Sequence, residues 1–179
     1  REALVDARGF DLFVHVAGHK FTYARHHEFS AEDEAAVWST DFHAASDLCK
    51  RVLPGMAKRR FGRIVLVGSM AATFGGGGSV PYCAAKAALE GLSRGLATDY
   101  GRFGVTSSVV APGVIETERI ASRLDDEARR RLAGSTSLRR LGTPRDVAGP
   151  IRFLCSDDAS YVTGVTLVVS GGLHLNQAW

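Results

Sequence analysis

Two hydrophobic patterns alternate along the chain. Short continuous apolar runs closed by small residues give way to longer segments whose apolar positions recur at helical spacing. The run FDLFVHVAG (residues 10–18) predicts a strand buried on both faces. RIVLVGS (63–69), VTSSVVAPG (105–113) and TLVVSGG (166–172) predict three more strands. Between the first two, SAEDEAAVW (30–38) opens with a serine followed by acids, a helix-start signal. Phe42, Ala45, Leu48, Cys49, Val52 and Met56 then keep helical spacing through residues 41–60. A long helix is predicted over about residues 82–100, and an Arg-rich helical region over 116–132. Another helix starts at Pro144, whose fixed φ suits a first turn.

Strands separated by helices of this length imply βαβ units and a parallel sheet with helices on both faces. Ligand sites of such sheets lie beyond the carboxyl ends of the strands. Here those ends are Ala17-Gly18, Ser69 and Pro112-Gly113.

Composition narrows the class. A chain of 179 residues predicts one domain with a real core. Apolar residues make up 45%, yet no stretch approaches the ~20 uninterrupted apolar residues of a membrane span. No secretory pattern opens the chain, so the expected location is cytoplasmic, with no membrane partner. Cys49, Cys83 and Cys155 lie far apart without a CxxC pair, which predicts reduced thiols rather than a disulfide framework or zinc site. A net charge of +3 is too mild to call for a nucleic-acid partner. His26-His27 has no third ligand nearby in sequence and reads as a solvated loop, so no metal is expected.

The candidate chemistry sits at the strand ends. Tyr82 follows Ser69 by 13 residues and Lys86 follows Tyr82 by four. On a helix, positions four apart share a face, which brings Lys86 beside the Tyr82 hydroxyl. A tyrosine titrating at ~10 is a poor acid or base at neutral pH, and a nearby ammonium favours its phenolate. So tuned, it delivers a proton to a carbonyl oxygen while a serine hydroxyl hydrogen-bonds the same oxygen. A Tyr-x-x-x-Lys turn is common by chance, so spacing alone does not settle this.

Four ordered stretches add a resemblance. GRIVLVGS, YCAAKAALEGLSRGLA, VVAPGVIET and RRLGTPRDVAGPIRFLCSDDASYVTGVTLVVSGG resemble the classical short-chain dehydrogenase/reductase family, and within it the bacterial 3-oxoacyl-acyl-carrier-protein reductases. The resemblance covers essentially the whole chain. It implies an α/β fold, a Rossmann-type doubly wound parallel sheet in three α/β/α layers. It also implies reduction of a ketone or 3-oxoacyl thioester to a secondary alcohol by hydride transfer from NADPH, with NADH as the other donor. Tyr82 is then the general acid, Lys86 its tuning partner and a ribose ligand, and Ser69 the carbonyl-orienting hydroxyl. Pro112, Gly113, Ile115 and Thr117 face the nicotinamide, and Ala17 and Gly18 flank the cofactor. The last strand and SGG help form the interface of a homotetramer or homodimer. Arg60 stands where carrier-dependent relatives can have a docking arginine, but the partner position holds Phe103 with Arg102 adjacent, which leaves docking of an acidic acyl carrier protein open. Residues 129–131, all arginine, fall in a lid over the substrate.

Three departures from that family pattern stand out. The family's opening TGxxxGxG turn, which holds the cofactor pyrophosphate at a helix N-terminus, does not occur in the chain. GGGG at residues 75–78 lies between Ser69 and Tyr82 and is no substitute. With DLFVHVAG aligned to the family's fourth strand, residues 1–9 become a helix tail and about 70 residues of sheet are missing. The expectation is therefore a domain truncated at its N-terminal side, with an exposed apolar edge and weak dinucleotide binding. Second, His15 and Val16 replace the asparagines of Asn-Asn-Ala-Gly, and His15 takes a position near the adenine ribose. Third, Asp41 replaces a helix asparagine that holds a water linking the lysine to solvent. A carboxylate there disfavours the Tyr82 phenolate and raises the pH optimum of oxidation. Alternative readings are a dehydrogenase or ketoreductase acting on a small alcohol, sugar or natural-product ketone, and a non-catalytic, oligomer-forming remnant.

Overall fold

The computed structural model describes residues 9–18, 24–76 and 79–175. Four strands, β1 (Leu12–His15), β2 (Gly62–Val67), β3 (Val105–Pro112) and β4 (Thr166–Val169), form one sheet in chain order. Every pairing is parallel. The helices are α1 (Ala31–Trp38), α2 (Ala44–Arg59), α3 (Ala71–Phe74), α4 (Val80–Tyr100), α5 (Glu118–Ala121), α6 (Asp126–Ser135) and α7 (Pro144–Cys155). A π-helical turn, Ser39–His43, joins α1 to α2.

Strand alternation builds two cores from one sheet. Ile64 and Leu66 of β2 face α2 and α4, where they meet Val52, Met56 and Leu89. Val65, between them, faces the other way and packs with Val110, Leu154 and Ala159 under α7. β2 and β3 are therefore apolar on both faces, as their continuous runs predict. Hydroxyls of Ser93 and Ser107, 3.0 Å apart, tie α4 to β3 where both are buried. Cys49 lies in the first core, and burial pushes its thiol up to about 12, so it stays protonated and packs as a small apolar group.

Helix starts follow the cap signals. Ser30 Oγ accepts from the Asp33 amide at 3.0 Å, and Asp125 Oδ1 from the Ala128 amide at 2.7 Å. The second cap divides the predicted 116–132 helix into α5 and α6. At α7, Thr143 and Asp146 form a reciprocal capping box. Arg140 grips Asp146 with two hydrogen bonds of 2.8 Å. That grip, with help from Thr143, holds the Asp146 carboxyl well below the usual carboxylate range. The same clasp steadies Gly142, whose carbonyl accepts from the Glu116 amide at 2.7 Å and so anchors the segment after β3.

β1 is the exposed apolar edge that the resemblance implies, and not the doubly buried strand that its apolar run alone predicts. Leu12 and Val14 are 50% and 36% exposed, so this strand is not buried on both faces. It is a sheet edge, and Phe13 alone of its apolar residues packs into the α2/α4 core. Helix α7 covers β2, β3 and β4 instead. Residues 1–8 of the expected helix tail lie outside the described residues. With Phe10 and Val16 also exposed, this apolar edge is a pairing hazard. Val14→Lys is expected to reduce self-association of the chain with little change in melting temperature; light scattering of both proteins across a concentration series checks it.

Candidate active site

The carboxyl ends of β1, β2 and β3 open into a cleft of about 650 Å³. Val67, Gly68 and Ser69 form one wall, Tyr82 and Lys86 of α4 the second, and residues 112–115 with Thr117 the third. Backbone hydrogen bonds fix the first wall to the third: Gly68 donates to Val110 at 2.8 Å and Met70 to Pro112 at 3.0 Å. Ser69 Oγ accepts from the Ala71 amide at 3.2 Å, which leaves its own proton for an acceptor in the cleft. Helix α4 begins at Val80, two residues before the expected start, with Pro81 in its first turn. Tyr82 therefore sits in the first turn and Lys86 one turn further along.

Lys86 is nearly sealed, with 4% of its side chain exposed. Its Nζ donates to the Val67 carbonyl at 3.1 Å and lies 5.7 Å from the centre of the Tyr82 ring. Asp41 Oδ1 stands 3.0 Å from the same ammonium, and the Asp41 side chain is wholly buried. The asparagine-and-water arrangement expected of relatives is thus replaced by a direct ion pair. The π-helical turn explains the reach. Widening the helix by one residue per turn re-aims a side chain, and such turns concentrate at functional sites. Asp41 is the buried residue of that turn.

Gly18 closes the arrangement from above. A Cβ there would lie 3.2 Å from Asp41 Oδ1 and 3.7 Å from Lys86 Nζ, so a larger residue would press on the Asp41 carboxylate by a few tenths of an ångström. Gly113 is more tightly constrained, since a Cβ would meet Ser170 at 2.9 Å and Met70 Sδ at 3.3 Å.

Of the residues expected around a cofactor, Gly18, Tyr82, Lys86, Pro112, Gly113, Ile115 and Thr117 line the cleft. His15 and Ala17 do not; along the extended chain Val16 and Gly18 point there instead. His15 turns inward and is 4% exposed. Burial, then the Lys86 charge, holds its imidazole below its ordinary proton affinity, with Asp41 opposing. The Thr117 hydroxyl caps α5 by accepting from the Ile120 amide. Sequence reasoning missed Ile120, Arg123, Leu124 and Leu132, which complete the cleft wall. The apolar members of this set were visible as helical spacing within the charged segment. Of the three arginines expected in a lid, Arg129 pairs with Glu116 at 3.1 Å, and Arg130 and Arg131 are exposed.

Known proteins share this arrangement of chain. A family model described as enoyl-(acyl carrier protein) reductase matches residues 1–174. The 3-oxoacyl-acyl-carrier-protein reductase FabG of Haemophilus influenzae is 41% identical over 140 residues, 78% of this chain and 57% of that protein. The chain therefore spans little more than half the length of that relative. A 3-oxoacyl-acyl-carrier-protein reductase structure from Brucella melitensis superposes with a TM-score of 0.88 at 29% identity, covering 92% of this chain and 63% of the other. ElxO with NADP bound gives a TM-score of 0.87 at 30% identity, over 93% and 68% of the two chains.

Proposed function

Because the chain belongs to the short-chain dehydrogenase/reductase family, we propose that it carries the proton-transfer machinery of an NADPH-dependent reductase of 3-oxoacyl thioesters. The observation that carries this reading is the meeting of Ser69, Tyr82 and Lys86 in one cleft with Asp41 behind Lys86. The residues present fit the nicotinamide-ribose end of a dinucleotide. Lys86, Tyr82 and Thr117 supply polar groups, and Gly18 and Gly113 supply close approach. The pyrophosphate end has no TGxxxGxG turn in this sequence to hold it.

Bound NAD(P)H supplies the hydride. The chain's own residues do the rest. Ser69 donates its proton as a hydrogen bond to the substrate carbonyl oxygen and fixes its direction. Tyr82 gives its phenolic proton to that oxygen as it gains charge. Lys86, held by Val67 and Asp41, keeps a positive charge beside the Tyr82 ring and favours its deprotonated form. Ile120, Leu124 and Leu132 offer an apolar wall to an acyl chain.

Two partner readings accompany this one. Arg60 donates to the Arg102 carbonyl at 3.0 Å, which brings both exposed arginines together as a basic patch for an acyl carrier protein. Phe153, Val165 and Leu167 are 42%, 40% and 37% exposed around β4, an apolar face suited to a second copy in a homodimer or homotetramer.

The test compares this chain alone with the same chain joined behind the N-terminal strands of the Haemophilus influenzae relative. Both receive NADPH and acetoacetyl-coenzyme A, and loss of NADPH absorbance is followed. Little turnover is expected from the chain alone and clear turnover from the chimera. A chimera that binds NADPH yet leaves the thioester untouched overturns the reading.

A further inference from the structure

The end of β1 holds a buried group that the proposed proton transfer does not use. His15 is 4% exposed, and neither ring nitrogen has a hydrogen-bond partner among the described residues. An imidazole kept from water without partners costs free energy, so its placement calls for a compensating role. Its ladder partner is Leu66, the residue before Val67, whose carbonyl holds Lys86. Three residues further on, Gly18 passes over Asp41 and Lys86. His15 lies on the same face of β1 as Phe13, which packs toward α2 and α4, so the ring is on the side of the sheet from which Lys86 meets Asp41. Among the described residues the charges acting on it are Lys86 from α4 and Asp41 from the π-helical turn. Its neighbours on β1 and β2, Val14 and Leu66, carry none.

We propose that His15 is a positioning residue whose protonation decides which partner Asp41 holds. Neutral, it leaves the carboxylate to Lys86. Protonated, it competes for that carboxylate and loosens Lys86 beside Tyr82. The ion pair is in this way an acid-sensitive switch built into the strand end. Because burial and Lys86 resist the proton, the switch stays closed at neutral pH. The sign for stability follows from the lowered affinity in the folded state. The unfolded chain binds more protons below 6.5, so His15 makes no difference to stability well above that pH and costs stability as pH falls beneath it.

This proposal concerns the resting protein, so its test needs no hydride transfer and is separate from the test of reductase activity. The His15 ring and the Lys86 ε-methylene are followed by NMR in this chain as pH is lowered from neutral. His15 is expected to titrate below 6.5, with the Lys86 signals moving in step. In Asp41→Asn the His15 titration is expected to move to still lower pH, because the attracting carboxylate is gone. An unmoved titration in that variant, or Lys86 signals indifferent to His15, overturns the proposal. Should Asp41→Asn fail to fold, His15→Asn decides. The acid-range movement of Lys86, and the acid loss of melting temperature below 6.5, are expected to disappear. Their persistence overturns it.

Discussion

Replacing Tyr82 by phenylalanine is expected to lower NADPH-dependent thioester reduction by the chimera roughly a hundred- to ten-thousand-fold. The substitution removes one oxygen and leaves the ring, so packing at the start of α4 is conserved. Ser69 still orients the carbonyl, and Lys86 keeps its bonds to Val67 and Asp41. What is lost is the proton delivered as the carbonyl oxygen gains charge, an interaction made in the transition state. The loss should therefore fall on kcat as much as on kcat/KM. Steady-state kinetics with acetoacetyl-coenzyme A reads both. A fall of less than about tenfold would move the proton source elsewhere in the cleft, because general acid catalysis typically supplies a hundredfold or more. Melting curves of both proteins, recorded alongside, keep a folding defect from imitating the effect.

Much of this cleft was legible in the sequence because its parts obey local rules. Ser69 closes an apolar run, Tyr82 and Lys86 are one helical turn apart, and Pro112-Gly113 ends another run. Each of these positions follows from strand or helix periodicity, and βαβ topology then brings the strand ends together. The exposure of β1 followed from the resemblance and not from its own residues. A continuous apolar run reads identically whether a second helix layer covers it or not, and here Leu12 and Val14 remain exposed. The π-helical turn was equally hidden. Phe42, Ala45, Leu48 and Cys49 keep ordinary helical spacing across its end, while the extra residue per turn is a matter of backbone hydrogen bonding. The position of Asp41 was foreseen by resemblance, but its 3.0 Å contact with Lys86 was not. His15 shows the same limit from the other side. Its neighbours Val16 and Gly18 reach the cleft, and pleating turns His15 away from it, into the interior.

Asp41→Ala is expected to cost the fold about 3–5 kcal/mol, because it leaves the Lys86 ammonium buried without its counter-charge. Lys86 and Asp41 have side-chain exposures of 4% and 0%, so water cannot take the carboxylate's place without opening the structure. Against a typical domain stability of about 5–15 kcal/mol, such a loss takes a large share of the total. The pair need not be stabilising in itself, since desolvation of two ions offsets much of their attraction. The double variant Asp41→Leu with Lys86→Met is therefore expected to regain most of the stability that Asp41→Ala loses. Urea denaturation of the three proteins checks this. If Asp41→Ala loses less than about 1 kcal/mol, the value of an exposed pair, the interior is wetter than its exposure implies. Asp41→Asn separates charge from shape. Its amide oxygen can still accept from Lys86, so the stability loss is expected to be smaller than for alanine. With the carboxylate gone, the ammonium acts on Tyr82 uncompensated and favours its phenolate. The pH profile of alcohol oxidation by the chimera should then move toward acid. A profile that overlays the parent's would mean that Asp41 holds Lys86 in place without setting the proton affinity of the site.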